Sequence, residues 1–257
     1  MGGDIAKAFA IVNQKGGVGK TTTAVNLAAG LALAGHPTLL VDLDPQGNAT
    51  TGLGIDKASL HPTVYHSLVS GEPAEKAVRE TSLPGLALLP SDIDLVGAEI
   101  ELVGLDRREY RLRSALEGVR VGRDYVIIDC PPSLGLLTIN ALVAADLVLV
   151  PLQCEFYALE GLTHLLKTVK LVRERLNPGL RVAGIVLTMF DGRTSLALQI
   201  KNEVQQYFPG EIFETVIPRN VRLTEAPSHG KPVMLHDLKS QGSVAYLELT
   251  AEVLRHE

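Results

Sequence analysis

The stretch NQKGGVGKTTT, Asn13 to Thr23, permits few folds. It follows an apolar run, KAFAIVNQ (7–14), that reads as a strand. After it, Ala24, Leu27, Ala28 and Leu31 repeat at the i, i+3, i+4, i+7 spacing of one buried helix face, and Gly35 supplies a helix stop. A strand, a glycine-rich turn and a helix in this order make an anion site. Gly16, Gly17 and Gly19, with Val18 between them, let the backbone wrap closely around phosphate, where a Cβ would block the turn or the ligand. The first helical N–H groups and the positive end of the helix dipole aim at the same point. Lys20 can neutralise the β- and γ-phosphates of a nucleotide, Thr21 can ligate Mg²⁺, and Thr22 continues the first turn. One departure stands out. The pattern G-x-x-x-x-G-K-[ST] expects its first glycine where Gln14 stands, and a second lysine, Lys15, precedes Gly16.

The remaining chain repeats the rhythm. Apolar runs at 37–44, 86–91, 125–130, 146–153, 181–190 and 212–218 read as strands, and most are continuous rather than alternating, as in strands covered on both faces. Helices are expected over 98–118, 134–145, 158–176, 194–207 and 243–255. The predicted fold class is α/β, a doubly wound, mostly parallel sheet with helices on both faces, of the P-loop NTPase kind. Ligands are then expected at the carboxyl ends of the strands. No Pro/Ser/Gly-rich linker, repeat or low-complexity tract interrupts residues 1–257, so a single domain is expected.

Two of those strand ends carry carboxylates. VDLDPQGN places Asp42 and Asp44 two residues apart, with Asp44 at the start of the loop. A carboxylate there can hold a water for attack on a γ-phosphate or touch the Mg²⁺ shell; alone, an Asp-Pro pair would be only a turn opener. YVIIDCPPS is a buried strand ending in Asp129, the layout in which a carboxylate holds Mg²⁺ through a water. Asp42 is a candidate for the outer metal shell, and Lys20 and Asp44 for catalysis.

Composition excludes several alternatives. The two cysteines, Cys130 and Cys154, form no C-x-x-C pair, so neither a disulfide framework nor a four-cysteine metal site can be built. No apolar run approaches the roughly 18 residues of a membrane span, and the segment before the loop is too short for a signal peptide; a cytoplasmic protein is expected. A net charge of −5 gives no general case for nucleic acid but leaves room for a local basic patch.

KGGVGKTTT (15–23), VDLDPQGNAT (41–50), DYVIIDCPPSLGLLTINAL (124–142), CEFYALEG (154–161) and VIPRNVRLTEAPSHGKP (216–232) together resemble the ParA/Soj chromosome-partitioning ATPases. The likeness runs from about residue 8 to residue 250, and the nucleotide motifs show no departure from the family pattern. It implies ATP and Mg²⁺ as cofactors and an ATP-dependent homodimer in which Lys15 crosses to the nucleotide of the second subunit. Gly16 then stays small because the two loops meet there. The resemblance further implies that Pro218 and Asn220 border the adenine and that nonspecific double-stranded DNA is bound, with Arg193, Arg219, Arg222 and Lys231 as candidate contacts. From composition alone, residues 181–232 are nearly charge-balanced and read as an ordinary solvated surface. Hydrolysis stimulated by a ParB-like partner and association with the nucleoid complete the implied function, with no membrane role.

Three alternatives share parts of the motif set. A membrane ATPase like MinD needs a basic amphipathic tail. Here SVAYLELTAEVLRHE puts Leu247, Ala251 and Leu254 on one face and carries Glu248, Glu252 and Glu257, the pattern of a core-packed helix. A redox carrier like the nitrogenase iron protein needs a cysteine pair for a cluster, which Cys130 and Cys154 do not resemble. A nucleotide-gated scaffold with negligible hydrolysis is the third, and Asp44 argues against complete inactivity.

Overall fold

The structure, a computed structural model, describes residues 5–57 and 60–255. In chain order it forms β1 (Lys7–Ile11), α1 (Lys20–Leu33), β2 (Thr38–Asp42), α2 (Asn48–Gly52), α3 (Val64–Val69), α4 (Ala74–Ala77) and β3 (Arg79–Glu80). Next come β4 (Leu86–Leu89), α5 (Leu95–Glu101), α6 (Arg111–Leu116), β5 (Tyr125–Asp129), α7 (Leu136–Ala144) and β6 (Leu147–Gln153). The last third holds α8 (Ala158–Arg175), β7 (Arg181–Phe190), α9 (Ser195–Tyr207), β8 (Ile212–Pro218), α10 (Val221–Glu225), α11 (Val233–His236) and α12 (Gln241–Arg255).

The eight strands make one sheet in the order β3-β4-β2-β5-β1-β6-β7-β8, parallel except for the short antiparallel edge β3. Continuous apolar runs are explained by two cores. Ala8, Ala10, Leu39, Val41, Val126 and Ile128 face α3 and α5–α9, while Phe9, Ile11, Leu40 and Ile127 face α1 and α10–α12. The four helical residues Ala24, Leu27, Ala28 and Leu31 are all fully buried. Gly35 sits at φ 94°, where a left-handed residue lets His36 N–H return to the Leu31 carbonyl at 3.1 Å.

Three expectations need correction. The helix expected over 98–118 is broken: a 3₁₀ turn at Leu102–Gly104 and an extended Leu105 separate α5 from α6, and Arg107 adopts φ 52°. The strand expected to reach residue 91 ends at Leu89. Helix α12 does pack on the core, but through Ala245, Tyr246, Leu249 and Val253; Ala251 is exposed, and Glu252 is buried. The Glu252 carboxylate has a local task. It accepts the backbone N–H groups of Glu214 and Thr215 at 2.6 and 3.0 Å, where the pairing of β8 with β7 slips register.

The order also explains the site's location. From β1 the chain moves to β2 and β4 on one side, returns to β5, and then continues through β6, β7 and β8 on the other. The connections diverge at β1, and the loop after β1 opens into that crevice.

Candidate active site

The loop between β1 and α1 is tied down at four points. Asn13 donates its side-chain amide to the Pro151 carbonyl at 2.8 Å and accepts Lys15 N–H at 3.0 Å. Thr188 on β7 donates its hydroxyl to the Val18 carbonyl at 2.8 Å. Lys20 folds back so that Nζ donates to the Lys15 carbonyl at 2.9 Å. Gly17 and Gly19 are left-handed, with φ 75° and 88°, a conformation that a Cβ penalises. Gly16 differs. A Cβ there would meet only Pro132 Cβ, at 4.0 Å, so nothing within the chain requires glycine at that position.

Lys20, Thr21 and Thr22 line a cavity of about 320 Å³ with Gly16, Gly17, Gly19, Asp44, Gln46, Asn48, Pro132 and Met189. Burial lowers the Lys20 pKa, opposed by the charges of Asp129, Cys130 and Asp44. Lys15 lies outside the cavity lining, and its Nζ pairs instead with Glu155 Oε2. The two lysines therefore face different partners. Lys20 lies over the loop, and Lys15 turns to the segment after β6.

The two carboxylates at the ends of β2 and β5 are register partners, Asp42 beside Asp129, and both are fully buried. Their surroundings differ. Asp42 Oδ2 accepts the N–H and hydroxyl of Thr50 at 2.8 and 2.7 Å, and its Oδ1 accepts Asp44 N–H at 3.3 Å. These bonds make it a brace for the loop that carries Asp44. Burial nevertheless raises its pKa to about 6, helped by the charge of Asp44. Neither oxygen of Asp129 has a hydrogen-bond partner. Burial and then the Asp42 charge push its pKa well above the ordinary range, against the smaller opposing effects of Thr21 and Lys20. A buried carboxylate with two unpartnered oxygens beside a threonine hydroxyl suits a divalent cation, which would supply the missing positive charge.

Asp44 is held in the loop after β2. Its Oδ1 accepts Gln46 N–H at 2.9 Å, and its carbonyl accepts the Ser91 hydroxyl at 2.8 Å. Ser91 N–H in turn donates to Thr50 Oγ1 at 3.1 Å. Pro218 and Asn220 line a second cavity of about 120 Å³ that shares Gly19, Thr22 and Met189 with the first. Asn220 Oδ1 caps α10 by accepting Arg222 N–H at 3.0 Å. Its amide N–H groups remain available to a ligand.

The four expected DNA contacts are not equivalent. Arg193 and Arg219 follow neighbouring strand ends, since Phe190 on β7 pairs with Pro218 on β8. Arg193 forks onto Asp191 at 2.8 and 2.7 Å, and that hydrogen-bonded pairing lowers the Asp191 pKa to about 2. Arg222 is paired with Glu225 at 2.6 Å and Asp237 at 3.3 Å. Lys231 is exposed and forms no ion pair among the described residues. Gln46, Asn48, Thr188, Met189, Ser91 and Glu155 complete the site, although the sequence motifs do not single them out as candidates. Gln46 and Asn48 are legible all the same, since they stand in the VDLDPQGN segment.

A family model described as an AAA domain matches residues 6–182. The sporulation initiation inhibitor protein Soj of Bacillus subtilis is 57% identical over 249 residues, covering 97% of this chain and 98% of that protein. The chromosome partitioning protein ParA of Myxococcus xanthus is 54% identical, over 98% of this chain and 89% of its own length. A crystal structure of cobyrinic acid a,c-diamide synthase from Mycobacterium smegmatis, with bound ADP and magnesium, superposes with a TM-score of 0.86. It is 39% identical and covers 98% of this chain and 95% of its own.

Proposed function

Because the chain belongs to the ParA/Soj family of chromosome-partitioning ATPases, we propose that it is an ATP-driven switch in DNA segregation, acting as a single ATPase domain. ATP binds in the larger cavity with its phosphates over Gly16–Thr22 and its adenine in the smaller one, between Pro218 and the amide of Asn220. Lys20 neutralises phosphate charge. Thr21 and Asp129 would hold Mg²⁺, directly and through water respectively, and the bound ion supplies charge neutralisation at the phosphates. Asp44, fixed by Ser91 and its own loop, orients the attacking water and accepts its proton. Asp42 keeps that loop in register.

The observation that carries the switch is the separation of the two lysines. Lys20 lines the cavity, while Lys15 is outside it and held by Glu155. A cation in that place serves hydrolysis only if it reaches a nucleotide bound elsewhere. The open space around Gly16 supports the same reading, because a small residue there admits a second loop. Two subunits then close face to face over their nucleotides, with Lys15 exchanging Glu155 for the partner's phosphates. The dimer doubles each weak basic patch and binds duplex phosphates without sequence preference, which places it on the nucleoid. A ParB-like partner accelerates hydrolysis and releases it.

The test is one titration of duplex DNA with ATP, with ADP and without nucleotide, alongside liposomes. Binding that requires ATP is expected for DNA alone. Equal DNA binding in all three states, or ATP-dependent liposome binding, would overturn the reading. Among the described residues no helix is long and apolar enough to cross a membrane.

A further inference from the structure

Helix α5 and its 3₁₀ extension bury only one side. Leu95, Ala98 and Leu102 enter the core. At about 100° per residue, Ile93, Val96, Ile100 and Val103 fall within an arc of roughly 80°, close to opposite that buried side. They are 67%, 55%, 79% and 58% exposed. Four large aliphatic side chains on one exposed stripe, spaced i, i+3, i+7, i+10, are unlike the scattered apolar residues of an ordinary surface.

Charge selects what covers it. Residues 92–106 contain Asp92, Asp94, Glu99, Glu101 and Asp106 and no lysine or arginine; Arg107 and Arg108 follow, and Arg108, which donates to the Val103 carbonyl at 3.1 Å, is paired with Glu109. On the same helical projection, Asp92 lies on one side of the stripe and Asp94 and Glu101 on the other, while Glu99 turns inward and buries one carboxylate oxygen. Two of these carboxylates are fixed in place. Asp92 accepts the Thr63 hydroxyl at 2.9 Å, and Glu101 accepts the Tyr65 hydroxyl at 3.0 Å. A second copy of this face would bring like charges together, and nucleic acid or an anionic lipid surface would be repelled. An apolar stripe with acidic borders is complementary to one ligand class, a cationic amphipathic helix seated by anchors at i, i+3 and i+7.

We propose that α5 and its extension form a docking surface for a basic amphipathic helix of a partner protein. The surface is independent of the nucleotide reading. It adjoins the site all the same, because Ile93 is two residues beyond Ser91, whose hydroxyl holds the Asp44 carbonyl.

The experiment uses the full chain and a fluorescent 18-residue peptide of leucine and lysine with its leucines on one helical face. Controls are a scrambled peptide of the same composition and a leucine–glutamate analogue. Fluorescence anisotropy should show the patterned basic peptide binding at least tenfold more tightly than either control. Ile100→Asp should weaken it at least tenfold, and Asp94→Asn with Glu101→Gln should flatten its salt dependence. Ile100 is so exposed that its variant should unfold at an unchanged temperature, which a melting curve checks. Equal binding to Ile100→Asp, or equal binding of the scrambled peptide, would overturn the proposal. So would self-association of the wild type that Ile100→Asp abolishes, since that assigns the face to a second copy.

Discussion

Asp129→Asn should make the ligand-free protein more stable and the nucleotide-bound protein less so. In the structure the carboxylate is fully buried, neither oxygen is hydrogen-bonded, and Asp42 is its register partner. An unsatisfied buried acceptor costs about 1–3 kcal/mol, and more when charged. The amide cannot ionise and offers its N–H groups to the acidic side chains around it. A gain of about 1–3 kcal/mol is expected, or roughly 2–4 °C in Tm per kcal/mol at this chain length. The pH dependence should change too. Asp42 titrates at about 6 in the fold against 3.8 ordinarily, so the native state holds its proton longer than the unfolded chain. Ligand-free stability therefore falls as pH rises through that window; Asp129, whose carboxyl is also pushed up, adds to the fall, and Asp129→Asn should reduce it by removing that titration. With Mg²⁺ and a non-hydrolysable ATP analogue at about 100 times Kd, the wild type should gain about 2.7 kcal/mol. The variant should gain much less. Urea denaturation at pH 4.5 and 7, with and without nucleotide and Mg²⁺, reads every one of these quantities. A less stable ligand-free variant, or an undiminished gain with Mg²⁺ and nucleotide, would refute the assignment of Asp129 to the metal.

Asp44→Ala should abolish hydrolysis while ATP binding persists, so the ATP-bound dimer accumulates in sedimentation; hydrolysis at the wild-type rate would require another residue to position the water. Lys15→Ala should bind ATP as a monomer and lose both dimerisation and hydrolysis. Glu155→Gln should instead favour the dimer, by no more than about fivefold for each subunit, because an exposed ion pair contributes about 0–1 kcal/mol and each subunit gives up one. Lys231→Ala should lower the log–log salt slope of DNA binding by about one unit for each phosphate that the lysine neutralises. Arg193→Ala and Arg222→Ala should lower it less, since acidic neighbours already engage both; gel-shift titrations at several salt concentrations would rank the three.

Legibility in the sequence follows the range of each interaction. Seven strands are readable, most of them as continuous apolar runs covered on both sides and β8 as an interrupted run at the edge, and the glycine loop is readable because its motif is local. The strand β3 is not, since two residues carry no periodicity. The same holds for α2, α3, α4, α10 and α11, each no more than six residues long. The break after Glu101 is hidden because a lone Gly104 follows a strong apolar pattern, and the charged residues 106–109 read as a polar helix face as readily as a turn. Within the site, Lys20, Thr21 and Asp129 stand at strand and helix ends where chemistry follows from position. Glu155 is out of reach of local patterns because it lies 140 residues from Lys15, and Ser91 because it reaches Asp44 across 47 residues. The expected DNA cations illustrate a different limit. Counting arginines gives a modest positive excess, but Asp191, Glu225 and Asp237 are the neighbours that decide how much charge is left over.

The carboxylate of Glu252, seated against β8, bears on how such molecules can assemble. An outer strand with free N–H groups is a template on which another chain can add a strand, and extended fibres grow in that way. Here the slipped register of β8 presents two successive N–H groups to one buried carboxylate, and the opposite border of the sheet is a strand of only two residues. Neither border offers a long row of open donors. Lateral growth of the sheet is thereby discouraged, so copies of this chain brought close together on a polymer have to meet through loops and helices. Contacts of that kind suit the reversible, nucleotide-dependent association proposed above.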